Sequence, residues 1–372
     1  MKSARSAMDP ALLAALLTTF YALFIVVRAN DPLVLVTLGT RYAPDSLDIR
    51  AVNEEGYDGQ FVYYLARYGA DGGEYIDVPA YRAQRMLLPA FGALLSFGQS
   101  DWLPFSLLAT NVISVALGTW ALASLLMASN VSAWYGLGYA LAIGVFGATR
   151  LTTTEPLAYG LSLLGIWFIS KQHYSRGALL FALAGLAKET TFIFVAGYIL
   201  HWLLNKQWAR ALRFGAIAIL PFAFWQLVLF ATFGAVGIGS GGNMATGFEL
   251  IPFMGIVRII SDGSLLVFAV LMPLIGIFVL VPTLWAFWRG WQDWRLQQWS
   301  LITTLLVTQA GIMLFVPFST YREPLGILRF VVGLQIMVIW YAAAKHQKRA
   351  LRYSMFWIMT SLLVIATDYN TG

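Results

Sequence analysis

Residues 83–98 read AQRMLLPAFGALLSFG, and whether they cross a bilayer sets the placement of every segment that follows. A membrane-crossing helix needs about 20 apolar residues to traverse roughly 30 Å of hydrocarbon at ~1.5 Å per residue. The runs Ala11–Val27, Phe105–Met127 and Ser264–Trp288 have about that length, whereas 83–98 is shorter and is interrupted by Pro89. The loop charges arbitrate. Lys2 and Arg5 precede the first apolar run. If 83–98 turns back, the loops holding Lys171 and Arg176, then Lys206, Arg210 and Arg213, then Arg289 and Arg295, and finally Lys345, Lys348, Arg349 and Arg352 all lie on the side of the N-terminus. If it crosses, all of them flip. Basic loops hold the cytoplasmic side, so a re-entrant 83–98 is the better reading.

That choice gives eleven spans: 10–27, 102–128, 131–149, 156–170, 176–188, 190–204, 213–233, 264–288, 298–317, 325–344 and 352–367. The N-terminus is then cytoplasmic and the end of the chain lies outside. Spans 176–188 and 190–204 are short and read as half-embedded helices meeting at a break, which protein or a cavity must surround.

Composition agrees with this class. Of 372 residues, 11% are charged and 59% hydrophobic, with a mean hydropathy of +0.71. Soluble domains carry about 25% charged residues. The chain therefore reads as an all-α polytopic membrane protein, and a transmembrane barrel is excluded because alternating ten-residue segments are missing. The net charge of +6 is accounted for by cytoplasmic loops, so the partners are membrane lipids and not nucleic acid. No cysteine is present, which excludes disulfides and thiol-ligated metal. The first apolar run resembles a signal peptide, but no A-x-A-like site follows it, so it is expected to remain as the first span.

The other face collects charge of both signs. Segment 28–82 holds nine of the eighteen carboxylates. Outer span ends add Arg150 and Glu155 in RLTTTEP, Lys188 and Glu189 in LAKETT, Arg258 with Asp262, and Arg322 and Glu323 in FSTYREP. Ionisable groups near the hydrocarbon are costly and usually functional, so a shared polar cavity is expected. Within the loop, Tyr57, Phe61, Tyr64, Leu65 and Tyr68 recur at helical spacing, which predicts an interfacial helix. Gly56 and Gly59 flank Asp58 and let the backbone turn, and Glu54, Glu55 and Asp58 share a face if that turn is helical. ADGGEYID (70–77) is a connector, and DVPAYRAQRMLLPAF (77–91) reopens a helix with Arg82 and Arg85 three apart. Arginine forks suit phosphate.

These blocks resemble a family. GYDGQF (56–61), AYRAQRMLLP (80–89), TEP (154–156) and LAKET (186–190), together with a long acidic loop after the first span, resemble the GT-C superfamily of membrane glycosyltransferases, in particular bacterial members. The likeness covers residues 10–205 well and the rest in outline. It implies a GT-C-like helical bundle forming one transmembrane domain over 1–372. Residues 10–205 would be the catalytic module, with extracytoplasmic loop 28–101, and 206–372 a set of further helices. It implies transfer of a sugar from a polyprenyl-phosphate donor to a lipid- or protein-linked glycan acceptor, outside the bacterial inner membrane. Asp58 matches the family's base, with Glu55 as its neighbouring candidate, and Glu155 matches the second-loop acid. Lys188 and Arg322 match phosphate ligands, with Arg82 and Arg85 behind them. Glu54, Tyr57, Tyr81, Gln84 and Glu323 complete the substrate loop.

The chemistry needs such residues in any case. A carboxylate at a membrane boundary takes the acceptor proton, and cations stabilise the departing phosphate. No second carboxylate is placed as a nucleophile, which favours inversion. Glu54, Glu55 and Asp58 could hold a divalent cation such as Mg or Mn. His173, His201 and His346 read as ordinary loop or interface residues, so no metal site is assigned. The competing function is a transporter or flippase of a lipid-linked or polar substrate, since broken spans and membrane-embedded charges occur there too. Against it, the two halves show no internal repeat. A non-catalytic scaffold would not need the arginines.

Overall fold

The structure, a computed structural model, describes residues 2–44, 53–242, 245–261 and 263–370. Asp262, one of the outer-face charges, lies outside the described residues. Helices and turns make up the fold, with one isolated bridge between Gly39 and Asn53 and no strand among the described residues.

Five helices are long and apolar enough to cross a bilayer: α1 (Lys2–Ala29), α5 (Leu103–Ala128), α9 (Trp208–Phe233), α10 (Leu265–Arg295) and α14 (Lys348–Tyr369). A bent pair, α12 (Pro324–Phe330) and α13 (Val332–Ala344), meets at 45° and makes a sixth if taken as one span. The outward faces are apolar: Leu16 and Phe20 on α1, Leu212 and Phe224 on α9, and Leu266 and Val270 on α10 are all more than 60% exposed. Buried polar groups such as Thr18, Asn111 and Thr119 lie inside instead. Water would not tolerate that apolar belt, and lipid requires it.

Five to six helices, not eleven, thus have the dimensions of full spans among the described residues. The predicted spans 156–170, 176–188, 190–204 and 298–317 correspond to shorter helices, α6 (Glu155–Ser170), α7 (Tyr174–Ala187), α8 (Phe192–Leu204) and α11 (Leu301–Met313). Between α7 and α8 the chain extends at Lys188 and makes one tight turn, Glu189–Thr191. Segment 131–149 is not a helix but three short pieces, Ala133–Gly136, Leu137–Ala140 and Phe146–Arg150. Its glycines explain the difference. A Cβ on Gly138 would lie 2.8 Å from the Ser354 carbonyl oxygen, and one on Gly144 would lie 2.5 Å from that of Leu328. The segment is threaded through protein, where irregular backbone is tolerated.

Segment 83–98 begins at the last residue of α3 (Pro79–Ala83), turns, and continues as α4 (Leu87–Leu95). Nine residues of helix rise about 14 Å, less than half of the hydrocarbon thickness. Helix α4 packs on α2 (Asp58–Tyr68) and on α5, and leaves Leu94 and Phe97 exposed at its tip. Helix α2 buries Phe61 and Tyr64 as the spacing predicted, but it starts at Asp58, so Tyr57 precedes it and Glu54 and Glu55 share no helical face with Asp58.

Two polar latches tie the ends of the bundle. At one end, the buried Arg150 donates to both oxygens of Asp368 at 2.9 and 2.7 Å, and Tyr21 of α1 donates to the same carboxylate at 2.8 Å. Arg28 donates to the carbonyls of Asp368 and Tyr369, so the C-terminal ends of α1 and α14 meet there. Elsewhere, buried Asp293 accepts from Thr303 at 2.6 Å and Tyr341 at 3.0 Å, with the Lys345 ammonium at 3.4 Å.

Candidate functional site

Four carboxylates and four cations converge where α2, α3, α6, α12 and the α7–α8 break come together. Asp58 is the first residue of α2 and Glu155 the first of α6. A helix N-terminus favours an anion in either place. Pro79 starts α3 with its φ already set, so that Arg82 and, just beyond α3, Arg85 point the same way.

Arg82 Nη1 donates to Asp58 Oδ1 at 2.8 Å, and Arg329 Nη2 donates to Asp58 Oδ2 at 2.7 Å. Arg82 also forks onto Asp77 at 2.9 and 2.8 Å. Arg85 forks onto Glu189 at 2.9 and 2.6 Å and donates to Tyr81 Oη at 3.0 Å. Lys188 donates to Glu155 Oε1, and Arg329 Nε stands 3.6 Å from that oxygen. Bidentate, charge-assisted contacts of this kind are the strong ones. Tyr57 lies beneath the Arg329 guanidinium, 5.0 Å from ring centroid to Cζ, and donates its hydroxyl proton to Glu323 at 2.8 Å. Burial raises the Tyr57 phenol well above its ordinary range. For Asp58 burial also pushes upward, but Arg82 and then Arg329 outweigh it and hold the carboxyl well below the usual carboxylate range. Glu155 Oε2 and Arg329 Nε are buried with no hydrogen-bond partner among the described residues. Such orphans in a charged site call for an explanation.

The cavity left between Asp58, Arg82, Arg85, Glu155 and Arg329 is only about 20 Å³. Leu65 and Pro89 line it and also line a second cavity of about 290 Å³. That second cavity is walled by apolar residues including Ala66, Met86, Ala90, Trp225 and Phe233. A cluster of guanidiniums therefore adjoins an apolar space between α2, α4 and α9.

Of the sequence-predicted residues, Asp58, Glu155, Lys188, Arg82, Arg85, Tyr57 and Tyr81 are brought together or into direct contact with the cluster. Others are not. Glu55 pairs with Arg41 at 2.6 Å, both about half exposed, and Glu54 faces solvent. The three carboxylates considered as an oxygen set for a cation are therefore not assembled. Arg322 is exposed, stacked on Phe318, and lines a separate groove of about 540 Å³ with Glu323. Gln84 is buried beside Gly237, without a role in the cluster. Arg150 belongs to the Asp368 latch, and Arg258 pairs with Glu249. The two glycines serve packing: a Cβ on Gly59 would lie 2.2 Å from the Leu151 carbonyl oxygen, and Gly56, at φ +67°, abuts Gly39.

Compared with known proteins, the chain matches no family model, no curated protein and no solved structure. The residue missed in the sequence is Arg329, which holds Asp58 and faces Glu155. Its signal was there: a lone arginine inside the apolar run 325–344 is the kind of charge that marks a site.

Proposed function

We propose that the protein is an integral-membrane glycosyltransferase of the GT-C kind, moving a sugar from a polyprenyl-phosphate donor to an acceptor outside the membrane. The observation that carries this reading is the junction at Leu65 and Pro89, where the arginine cluster meets the apolar cavity. A lipid phosphate has that same division, an anionic head on an isoprenoid tail. Asp58 is the base. The acceptor hydroxyl oxygen bonds to the anomeric carbon, the carbon–oxygen bond to phosphate breaks with its electron pair going to the phosphate oxygen, and the hydroxyl proton goes to Asp58. Arg82, Arg85, Arg329 and Lys188 stabilise the phosphate as its charge grows. One displacement inverts the anomeric centre.

The layout of basic loops supports this site on the extracytoplasmic face, which the GT-C reading assigns to a bacterial inner membrane. The meeting of the C-terminal ends of α1 and α14 suits an odd number of crossings. The test is purified protein with a panel of polyprenyl-phosphate sugars and glycan acceptors. Release of polyprenyl phosphate is expected, with turnover in Asp58→Asn lower by ~10²–10⁴-fold for loss of a general base. Passage of an intact donor across vesicles without any release would favour the flippase reading instead.

A further inference from the structure

The cluster as it stands has no place for a phosphate. Its cavity of about 20 Å³ has room for about one water. Its charges also cancel: Asp58, Asp77, Glu155 and Glu189 face Arg82, Arg85, Lys188 and Arg329 in direct ion pairs. Each guanidinium already grips a carboxylate, the group that most resembles a phosphate in shape and charge. Asp58 differs from the other three acids in its ties more than in its exposure. Like Glu189 at 25%, it keeps an open side chain at 28%, against 9% for Asp77 and 1% for Glu155. It is also a single carboxylate shared by two arginines from distant parts of the chain, Arg82 on α3 and Arg329 on α12. Arg82 retains its Asp77 fork without Asp58, and Arg329 retains Glu155 nearby. Asp58 is therefore the acid most easily exchanged for an incoming anion.

We infer that the donor's phosphate displaces Asp58 from Arg82 and Arg329, so that this carboxylate is free to accept a proton only while the donor is seated. The inference rests on the glycosyltransferase reading. It resolves a difficulty in that reading, because a carboxylate clamped by two guanidiniums is a poor base. The groups around Asp58 are Arg82 and Arg85 from the α3 segment, Arg329 from α12, Tyr57 before α2, and Glu155 from α6. An arriving phosphate engages the cations and adds negative charge next to Asp58. Both changes favour its protonated form. Donor binding would thus activate the base, and acceptor chemistry would follow donor binding in a fixed order.

The experiment uses the full chain in detergent, polyprenyl monophosphate as the probe and the matching polyprenol as the control. Affinity is measured for the parent and for Asp58→Asn. In parallel, infrared difference spectra follow the Asp58 carboxyl across pH with and without probe, with Asp58→Glu to assign the band. Removing a carboxylate that competes for the arginines should tighten phosphate binding by roughly tenfold or more. The Asp58 band should titrate below pH ~4 in the free protein and move toward neutral pH in the bound one. Equal or weaker binding by Asp58→Asn, or a band that stays in place in the phosphate-bound parent, overturns the inference and leaves the lipid-phosphate reading standing. Binding of the phosphate no tighter than polyprenol by any of the proteins removes both. Should Asp58→Asn fail to fold, the parent's infrared titration decides alone.

Discussion

Two guanidiniums and one carboxylate at Asp58 make predictions that single residues can test. Arg329→Gln should weaken polyprenyl-phosphate binding by about 1.5–3 kcal/mol, the range for a charge-assisted contact. Arg322→Gln should cost much less, because Arg322 stacks on Phe318 outside the cluster. Isothermal titration of both variants decides between them, and a larger loss at Arg322 would return it to the role its sequence position suggested. Asp58 also links stability to pH. Its folded carboxyl is held low, so its ion pairs contribute fully above the unfolded value near pH ~4 and fade as pH falls toward the folded one. In thermal melts, the gap between parent and Asp58→Asn should be flat from pH ~8 to ~5 and shrink below pH ~4. Asp58, Arg82 and Arg85 were legible in the sequence because turn glycines and a helix-starting proline surround them. Arg329 was not, because reading 325–344 as a span treated its one charge as an interruption and not as the message.

Among the elements, α4 and α2 fix the site by close packing. Gly59 lets α2 press on Leu151, and a Cβ there has backbone, which cannot rotate away, at 2.2 Å. Gly59→Ala should lower stability by ~1–3 kcal/mol through overpacking, read from the midpoint of thermal unfolding, and should shift Asp58 with it. The re-entrant reading of α4 is tested by labelling. Cysteine at Ser175, in the first turn of α7, should resist an impermeant thiol reagent on intact cells, and cysteine at Ala70, in the first loop, should react. Both positions are exposed, so a reversed result means that α4 crosses. Long apolar helices were readable from composition alone. Segment 131–149 was not, since hydropathy registers how apolar a stretch is and not whether glycines let it thread between neighbours.

For the molecule as a whole, the apolar cavity beside the arginines should set tail specificity. Ala90→Phe narrows it. Turnover should fall several-fold with long isoprenoid donors and little with short-chain analogues, measured by phosphate-lipid release; equal losses for both would mean that the tail runs elsewhere. The Arg150–Asp368 latch has a different reach. Arg150 is buried early in the chain, and its counter-ion arrives more than two hundred residues later. During synthesis that guanidinium must wait without its counter-ion until α14 inserts. A ribosome that stops short of residue 368 leaves a nascent protein with a buried, unmatched cation, which membrane quality control can recognise. The latch therefore ties the matching of this cation to the arrival of α14, and chains truncated before residue 368 should be cleared from the membrane quickly even though every site residue has already been made.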